Sequence, residues 1–346
     1  MKSFAGNYFE DFEIGRVLRH ATPLTVTEAD SAIYRSLTGS RYGIYSAATL
    51  AEAAGFPRAP IDPLIVFHVV FGKTVPDISL NAVANLGYAD GRFLAPVYPG
   101  DTLYATSEVI GRKENSNGKT GVVYVRTTGV NQDDVPVLSY VRWVMVNKKD
   151  HANPAPEAVL PDLPSAVDAT TLSIGANYGA YDTGLAGSPH WFEDYAIGEK
   201  IDHVDGMTVE EAEHQTATRL YQNTAKVHFN QYEQAKGRFG KRLIYGGIVI
   251  STARSLAFNG LANAAQMIAI NAGTHCNPLF AGDTIHAWSE VLDKADLSDT
   301  VGALRLRLVA TKDRPCADFP YKGEDGKYLP DVLLDFDYWA AIPKSR

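Results

Sequence analysis

The chain has 346 residues, a length for which two domains are the natural expectation. Hydrophobic residues make up 45% and charged residues 21%, an ordinary globular composition with enough apolar material for sizeable cores. With 32 Lys+Arg against 40 Asp+Glu the formal charge is −8, which argues against a general nucleic-acid or anionic-membrane surface and leaves room only for a local basic patch.

The first segment, MKSFAGNYFEDFEIG, has no positive region followed by an apolar stretch, so no secretory leader is expected. No apolar run reaches the roughly 20 residues that span a bilayer. TVTEAD (25–30) reads as a helix start, with a Thr cap and acidic residues in the first turn. DPLIVFHVVFGKTV (62–75) is apolar over most of its circumference and predicts a centrally buried helix. GVVYVRTTGVNQ (121–132) alternates as a strand does, and PVLSYVRWVMVN (136–147) reads as another. HANPAPEAVLPDLPSAVD (151–168) is rich in Pro and Ala, and SIGANYGAYDTGLAGSPH (173–190) in Gly and Ser. Together they predict a semi-extended connection that packs over a surface or reaches across two halves.

Beyond the connection the chain repeats itself. YFEDFEIGRVL (8–18) returns as WFEDYAIGEKI (191–201), and LTVTEAD (24–30) as MTVEEAE (207–213), both at an offset of 183. APVYPGDTLYATSEV (95–109) returns as NPLFAGDTIHAWSEV (277–291), at an offset of 182. Three blocks in one order at nearly one offset imply two tandem domains of one fold, at 1–150 and 189–346, joined by a linker at 151–188. TVEEAE is the second helix start, GGIVISTARSLAFNG (246–260) the second buried helix, and ALRLRLVAT (303–311) a strand. The expected fold class is α+β, each half an antiparallel sheet curled around a central helix. Two unremarkable thiols, Cys276 and Cys316, make neither a disulfide framework nor a zinc site unaided and fit a reducing cytosol, so a cytoplasmic protein is expected.

The order FEDF-x-IG, TVTE, helix, P-V-x-x-GDTL and strands resembles the MaoC-like hydratase branch of the hot-dog fold, in its tandem, double hot-dog form. The stretch QNTAKVHFNQYEQAKGRFG (222–240) aligns with that family's motif, G-D-x-N-P-[LV]-H followed two positions later by an acid or amide. Val227-His228 and Asn230 match it; Asn223 stands where Asp is usual, Ala225-Lys226 replace Asn-Pro, and Tyr245-Gly246 replaces His-Gly. Within the branch the variant motif and the double architecture are most similar to the mesaconyl-CoA hydratases, or β-methylmalyl-CoA dehydratases. In the first half, GSRYGIY (39–45) puts Ser40 and Tyr45 at the Asp and His positions, so that half is expected to shape the substrate tunnel rather than catalyse.

The resemblance implies hydration of an enoyl-CoA, with CoA as part of the substrate and neither cofactor nor metal. Such a reaction needs a base for water, a group to hold that water, and donors for the enolate. His228 is the natural base, since imidazole titrates nearest neutrality. Asn223 can hold the water through its amide oxygen but cannot take a proton. The proton then goes to His228 alone or to a carboxylate from elsewhere; Glu233, five residues on, points well away. Backbone N–H groups of Gly246 and Gly247 at the helix start could meet the enolate. Arg238, Lys241 and Arg242 are candidates for the CoA phosphates, or a solvated face. Pro60, Ile61, Asp62, Pro63, Leu86, Gly87, Tyr88, Ala89, Val97, Tyr98 and Pro99 are candidates for the acyl tunnel, and Lys226 or Arg41 for a substrate carboxylate.

Several competing readings find less support. The remaining histidines show no metal-ligand spacing, and His68 reads as a satisfied core residue. Asp101 and Asp283 of the repeated GDT read as turn residues. No P-loop and no G-x-S-x-G elbow occur. A general (R)-specific enoyl-CoA hydratase, a thioesterase and a non-catalytic acyl-CoA-binding scaffold are the alternative functions. Nucleic acid and membrane are not expected partners, and association into a homodimer or higher homo-oligomer is left open.

Overall fold

The computed structural model describes residues 2–345. In the first half, helix α1 (Glu28–Thr38) is capped by Thr27, whose N–H and hydroxyl both donate to the Asp30 carboxylate at 2.6 Å. Helix α2 (Pro63–Thr74) opens with Asp62, whose carboxylate accepts the Leu64 N–H at 2.8 Å, and with Pro63 at its first position. Every residue from Leu64 to Thr74 is buried, His68 and Lys73 among them.

The second half repeats this plan in helices α3 (Glu211–Leu220) and α4 (Gly246–Leu256). The expected threonine cap is absent there: Glu210 occupies the position of Thr27, and its N–H donates to Glu213 at 3.2 Å. α4 is buried from Gly247 onward and stops at Leu256, short of the expected 260, because Asn259 and Gly260 leave helical geometry.

Among the described residues ten strands form one antiparallel sheet. They are β1 (Val17–Thr25), β2 (Ala82–Phe93), β3 (Thr102–Glu114), β4 (Thr120–Val130), β5 (Pro136–Asn147), β6 (Lys200–Thr208), β7 (Gln266–His275), β8 (Thr284–Asp296), β9 (Val301–Lys312) and β10 (Val332–Pro343). Their order, β1-β3-β4-β5-β2-β7-β10-β9-β8-β6, reads the same from either end once the halves are equated. Each five-stranded half curls over its own apolar helix, which is the tandem hot-dog arrangement, α+β in class. The halves meet where β2 pairs with β7, with Tyr88 opposite Gly273 and Ala89 opposite Ala272.

The seam sets the two central helices side by side. His68 of α2 and Ser251 of α4 share a hydrogen bond of 2.8 Å between Nε2 and Oγ. Gly72 lies so close to the chain following α3 that a β-carbon there would sit 1.8 Å from the Tyr221 carbonyl oxygen. The connection runs over both halves. Val159 bridges Arg112, the Trp339 indole N–H donates to the Val167 carbonyl at 3.1 Å, and the Asn177 N–H donates to that of Ala54 at 2.7 Å.

Two predictions follow from this packing. Gly72→Ala forces backbone against backbone, so a loss of about 1–3 kcal/mol or more is expected, read as a lower urea midpoint at unchanged m-value. The second concerns acid. Burial pushes His68 down to about 3 and His203, His214, His228 and His275 down to about 4, from an ordinary 6.5. The unfolded chain therefore binds protons between pH 6.5 and 4 that the folded chain refuses, and stability falls as pH drops through that window. Asp62, pushed up by burial to about 7, acts in the opposite sense, but one carboxyl opposes five imidazoles. A urea midpoint equal at pH 7 and pH 5 would contradict this.

Candidate active site

The loop after α3 fixes the two motif residues. The Asn223 N–H donates to the Thr218 carbonyl at 2.9 Å, closing the end of α3, and Gln222 takes a positive φ of 55° to turn the chain. The Asn223 amide oxygen accepts the Ala225 N–H at 3.1 Å, a local turn that starts the single helical turn Lys226–Phe229. That turn is clasped to the entry of α4: the Leu243 N–H donates to the Val227 carbonyl at 3.1 Å, and His228 Nδ1–H donates to the Leu243 carbonyl at 2.9 Å. The second bond decides the tautomer. It puts the proton on Nδ1 and leaves Nε2 a bare lone pair, with no partner among the described residues. Burial holds this imidazole down to about 4, so it is neutral at physiological pH.

His228 opens on a cavity of about 350 Å³ built from both halves. The second half supplies Asn223, Val227, His228, Tyr245, Gly246 and His275; the first supplies Phe71, Val75, Asn85, Tyr88 and Arg142. The N-terminus of α4 is part of the wall, and among the described residues no backbone partner engages the N–H of Gly246 or Gly247. Neither position has room for a side chain. A β-carbon on Gly246 would lie 2.4 Å from Cε1 of His275, and one on Gly247 2.6 Å from Cε1 of His68. Tyr245, the residue before them, is held at both ends: its N–H donates to His214 Nε2 at 3.1 Å, and its hydroxyl shares a bond of 3.4 Å with His68 Nδ1. Its ring stands edge-on to His228, the centroids 5.6 Å apart. Across the seam, the Tyr88 hydroxyl and His275 Nε2 share a bond of 3.2 Å. A neutral base, an amide, two free helix N–H groups and an apolar floor can accept a proton from water and stabilise an oxyanion.

Asn223, His228, Gly246 and Tyr88 thus line one cavity; Gly247, the next residue of α4, is not part of its lining. The other tunnel candidates lie elsewhere. Pro60, Ile61, Pro63 and Val97 line a separate cavity of about 40 Å³ at the start of α2, beside Tyr45 and Phe93. It is the first half's counterpart of the site, and Asp62 there is occupied in capping α2. Leu86, Gly87, Ala89, Tyr98 and Pro99 reach neither cavity wall; Gly87 is pressed on Trp143, and Tyr98 lies under Arg58 at 5.1 Å. The reason is the seam. The trailing part of β2 pairs with β7, its leading part reaches the His228 cavity, and 60, 61, 63 and 95–97 stay at the start of α2.

The basic candidates divide as well. Lys241 and Arg238 are exposed and stack over Phe280 and Phe239, at 4.4 and 5.1 Å, and Phe239 is on the cavity wall. Arg242 is paired with Glu211. Lys226 is exposed and off the wall, and Arg41 stacks on Phe258 beside another cleft. Glu233 is paired with Lys236 at 3.7 Å, away from the base. Among the described residues no His, Cys, Asp and Glu group is arranged to hold a metal, and no helix is long and apolar enough to cross a membrane.

Sequence reasoning missed His275, Tyr245, Asn85 and Arg142. For His275 the repeat carried a signal: at the offset of 182 it replaces Phe93, so the half with the motif also gained an imidazole. Tyr245 likewise replaces Asp62, at 183. Asn85 and Arg142 come from the other half and had no local signal.

A family profile described as mesaconyl-CoA hydratase matches residues 2–159. The chain is 60% identical over 99% of its length to a β-methylmalyl-CoA dehydratase of Chloroflexus aurantiacus, of which it covers 99%. It is also 60% identical over 99% of its length to a mesaconyl-CoA hydratase of Cereibacter sphaeroides, which it covers completely, at 100%. The solved structure of a MaoC domain protein dehydratase from Chloroflexus aurantiacus superposes with a TM-score of 0.98, at 59% identity and full coverage of both chains. A Mycobacterium tuberculosis protein with a double hotdog fold superposes at 0.77, with 25% identity, over 98% of this chain and 99% of its own. With two full-length relatives at this identity, and with the fold and motif in place, the chain belongs to the mesaconyl-CoA hydratase family of MaoC-like hydro-lyases.

Proposed function

We propose that the chain catalyses the reversible addition of water to mesaconyl-CoA, giving β-methylmalyl-CoA, with His228 as the base. The observation that carries this reading is the His228 tautomer, fixed by the Leu243 carbonyl so that a neutral Nε2 is left free at a cavity formed around a helix N-terminus. A water held by Nε2 gives that nitrogen a proton as its oxygen bonds to the β-carbon. The electron pair of the double bond moves into the thioester, and the enolate oxygen is met by the Gly246 and Gly247 N–H groups. The proton on Nε2 then passes to the α-carbon, which restores the neutral imidazole and completes addition of H and OH. Asn223 holds the water or the new hydroxyl through its amide: one lone pair of the oxygen is taken by the Ala225 N–H, which leaves the second lone pair and the NH₂. Lys241 and Arg238, at the mouth beside Phe239, are the cations for the CoA phosphates.

The direct test is incubation with mesaconyl-CoA and, separately, crotonyl-CoA, following loss of the enoyl-thioester absorbance and the mass of one added water. Turnover of mesaconyl-CoA is expected. Turnover of crotonyl-CoA alone would make the chain a general enoyl-CoA hydratase, and turnover of neither would end the hydratase reading. His228→Gln is expected to slow turnover by about 10²–10⁴-fold while CoA-ester binding persists. In the parent protein kcat/KM should fall as pH drops through about 4, where His228 and its neighbours His214 and His275 take protons as a group. The His228→Gln variant should lack that limb; a limb of unchanged size and position would exclude His228 as the base.

A further inference from the structure

Arg142 is the charged residue of the cavity wall that the mechanism above leaves unused. It lies on β5, opposite Tyr88 of β2, and its side chain is 0% exposed. No carboxylate pairs with it among the described residues. Nη2 donates to the Thr74 hydroxyl at 2.7 Å and the Ser79 hydroxyl at 3.1 Å, while Nε and Nη1 are buried without a partner. The Phe71 ring lies 4.3 Å from its guanidinium carbon, and the groups that act on it electrostatically are the tyrosines at 88, 140 and 245. A buried cation with no counter-ion is costly to the fold. Nearby, both amide atoms of Asn85 are also buried without a partner, and Asn85 is on the same cavity wall. Asn85 pairs with Val144, two residues from Arg142 on the strand, so both side chains leave the same face of the sheet.

The fold does not require arginine there. β10 is the second half's counterpart of β5, and the equivalent residue, again one before a tryptophan, is Tyr338. Tyr338 occupies that position within the core, its ring 5.5 Å from the guanidinium carbon of Arg254, which reaches it from α4 rather than from the strand.

We infer that Arg142, assisted by Asn85, is the subsite for the free carboxylate of the acyl group and so selects a carboxylated enoyl-CoA over its uncharged analogues. The inference rests on the hydratase reading and adds to it the residue that sets acyl specificity. The carboxylate of mesaconyl-CoA is bonded directly to the β-carbon, so its place is beside the reacting atom, in the part of the cavity where Tyr245, Tyr88 and Arg142 meet. Its charge fits the vacant donors on Nε and Nη1, and the Asn85 NH₂ offers a further one. Pairing also counters the repulsion that a β-carboxylate exerts on an incoming hydroxide-like oxygen.

The test compares mesaconyl-CoA with (E)-2-methylcrotonyl-CoA, in which a methyl group stands where the carboxylate was. The parent protein should prefer mesaconyl-CoA strongly. Arg142→Gln should lower kcat/KM for mesaconyl-CoA by about 100-fold or more, on the scale of losing one partner of a buried charge pair. It should leave kcat/KM for 2-methylcrotonyl-CoA within a few-fold, or raise it. Asn85→Asp, which keeps the shape and places a like charge in the subsite, should depress mesaconyl-CoA selectively even if Arg142→Gln does not fold. Saturated esters give a reading on the parent protein alone: succinyl-CoA should inhibit at least tenfold more tightly than butyryl-CoA. Equal inhibition by the two esters, or loss of both substrates in step in the variants, would overturn the assignment while the hydratase reading stood. Failure of the parent protein to hydrate mesaconyl-CoA would remove both.

Discussion

Where β2 meets β7, four residue pairs from Tyr88–Gly273 to Arg92–Ala269 join two sheets that would otherwise each end in an open edge. Backbone hydrogen bonding at that seam positions everything else. It fixes the angle at which α2 and α4 lie together, so that His68 reaches Ser251 and Gly72 meets the backbone beyond α3. It also carries the leading half of β2 onto the start of α4, which is why the cavity at His228 has walls from both halves. Neither half could form this site by itself.

Within that frame the electrostatics are those of exclusion. Desolvation keeps five imidazoles neutral at physiological pH, and three of them, at 214, 228 and 275, surround the entry of α4. Cations so close to a helix N-terminus would oppose its dipole, whereas neutral rings leave that positive end free for a developing anion. His214 accepts the Tyr245 N–H, His68 shares a bond with the Tyr245 hydroxyl, His275 with that of Tyr88, and His228 is oriented by a carbonyl. Buried polar groups that are hydrogen-bonded in this way keep a single arrangement.

The architecture was legible in the sequence because the chain states it twice. Three repeated blocks and two apolar helices imply tandem copies, and the observed sheet order is the symmetrical one such copies produce. His228 and Asn223 were legible because they lie on one short loop whose bonds are local. The acyl end of the cavity was not, since it depends on contacts between residues far apart in the chain. Pro60, Ile61 and Val97 look like tunnel residues by their place in the repeat, yet they line the smaller cavity at the start of α2, with Gln266 and Met267 of β7. Asn85 and Arg142 read as ordinary strand residues until β2 and β5 are seen to face the other half's helix. The hydrogen bond from the Ala225 N–H to the Asn223 oxygen is another feature that no pattern of residue types reveals.

The pairing of Arg142 with Tyr338 across the pseudo-twofold axis bears on why the two copies share one chain. In an assembly of identical subunits every substitution is made twice, and an arginine suited to one cavity is imposed on its mirror position. There it would lie beside Phe336 and the buried guanidinium of Arg254, where Tyr338 now packs. Covalent fusion removes that obligation. Ser40 could depart from Asn223, Tyr45 from His228 and Phe93 from His275 without any matching change in the working half. Such a chain trades two equivalent reaction centres for one, and in return each wall of the remaining centre can vary independently of its twin.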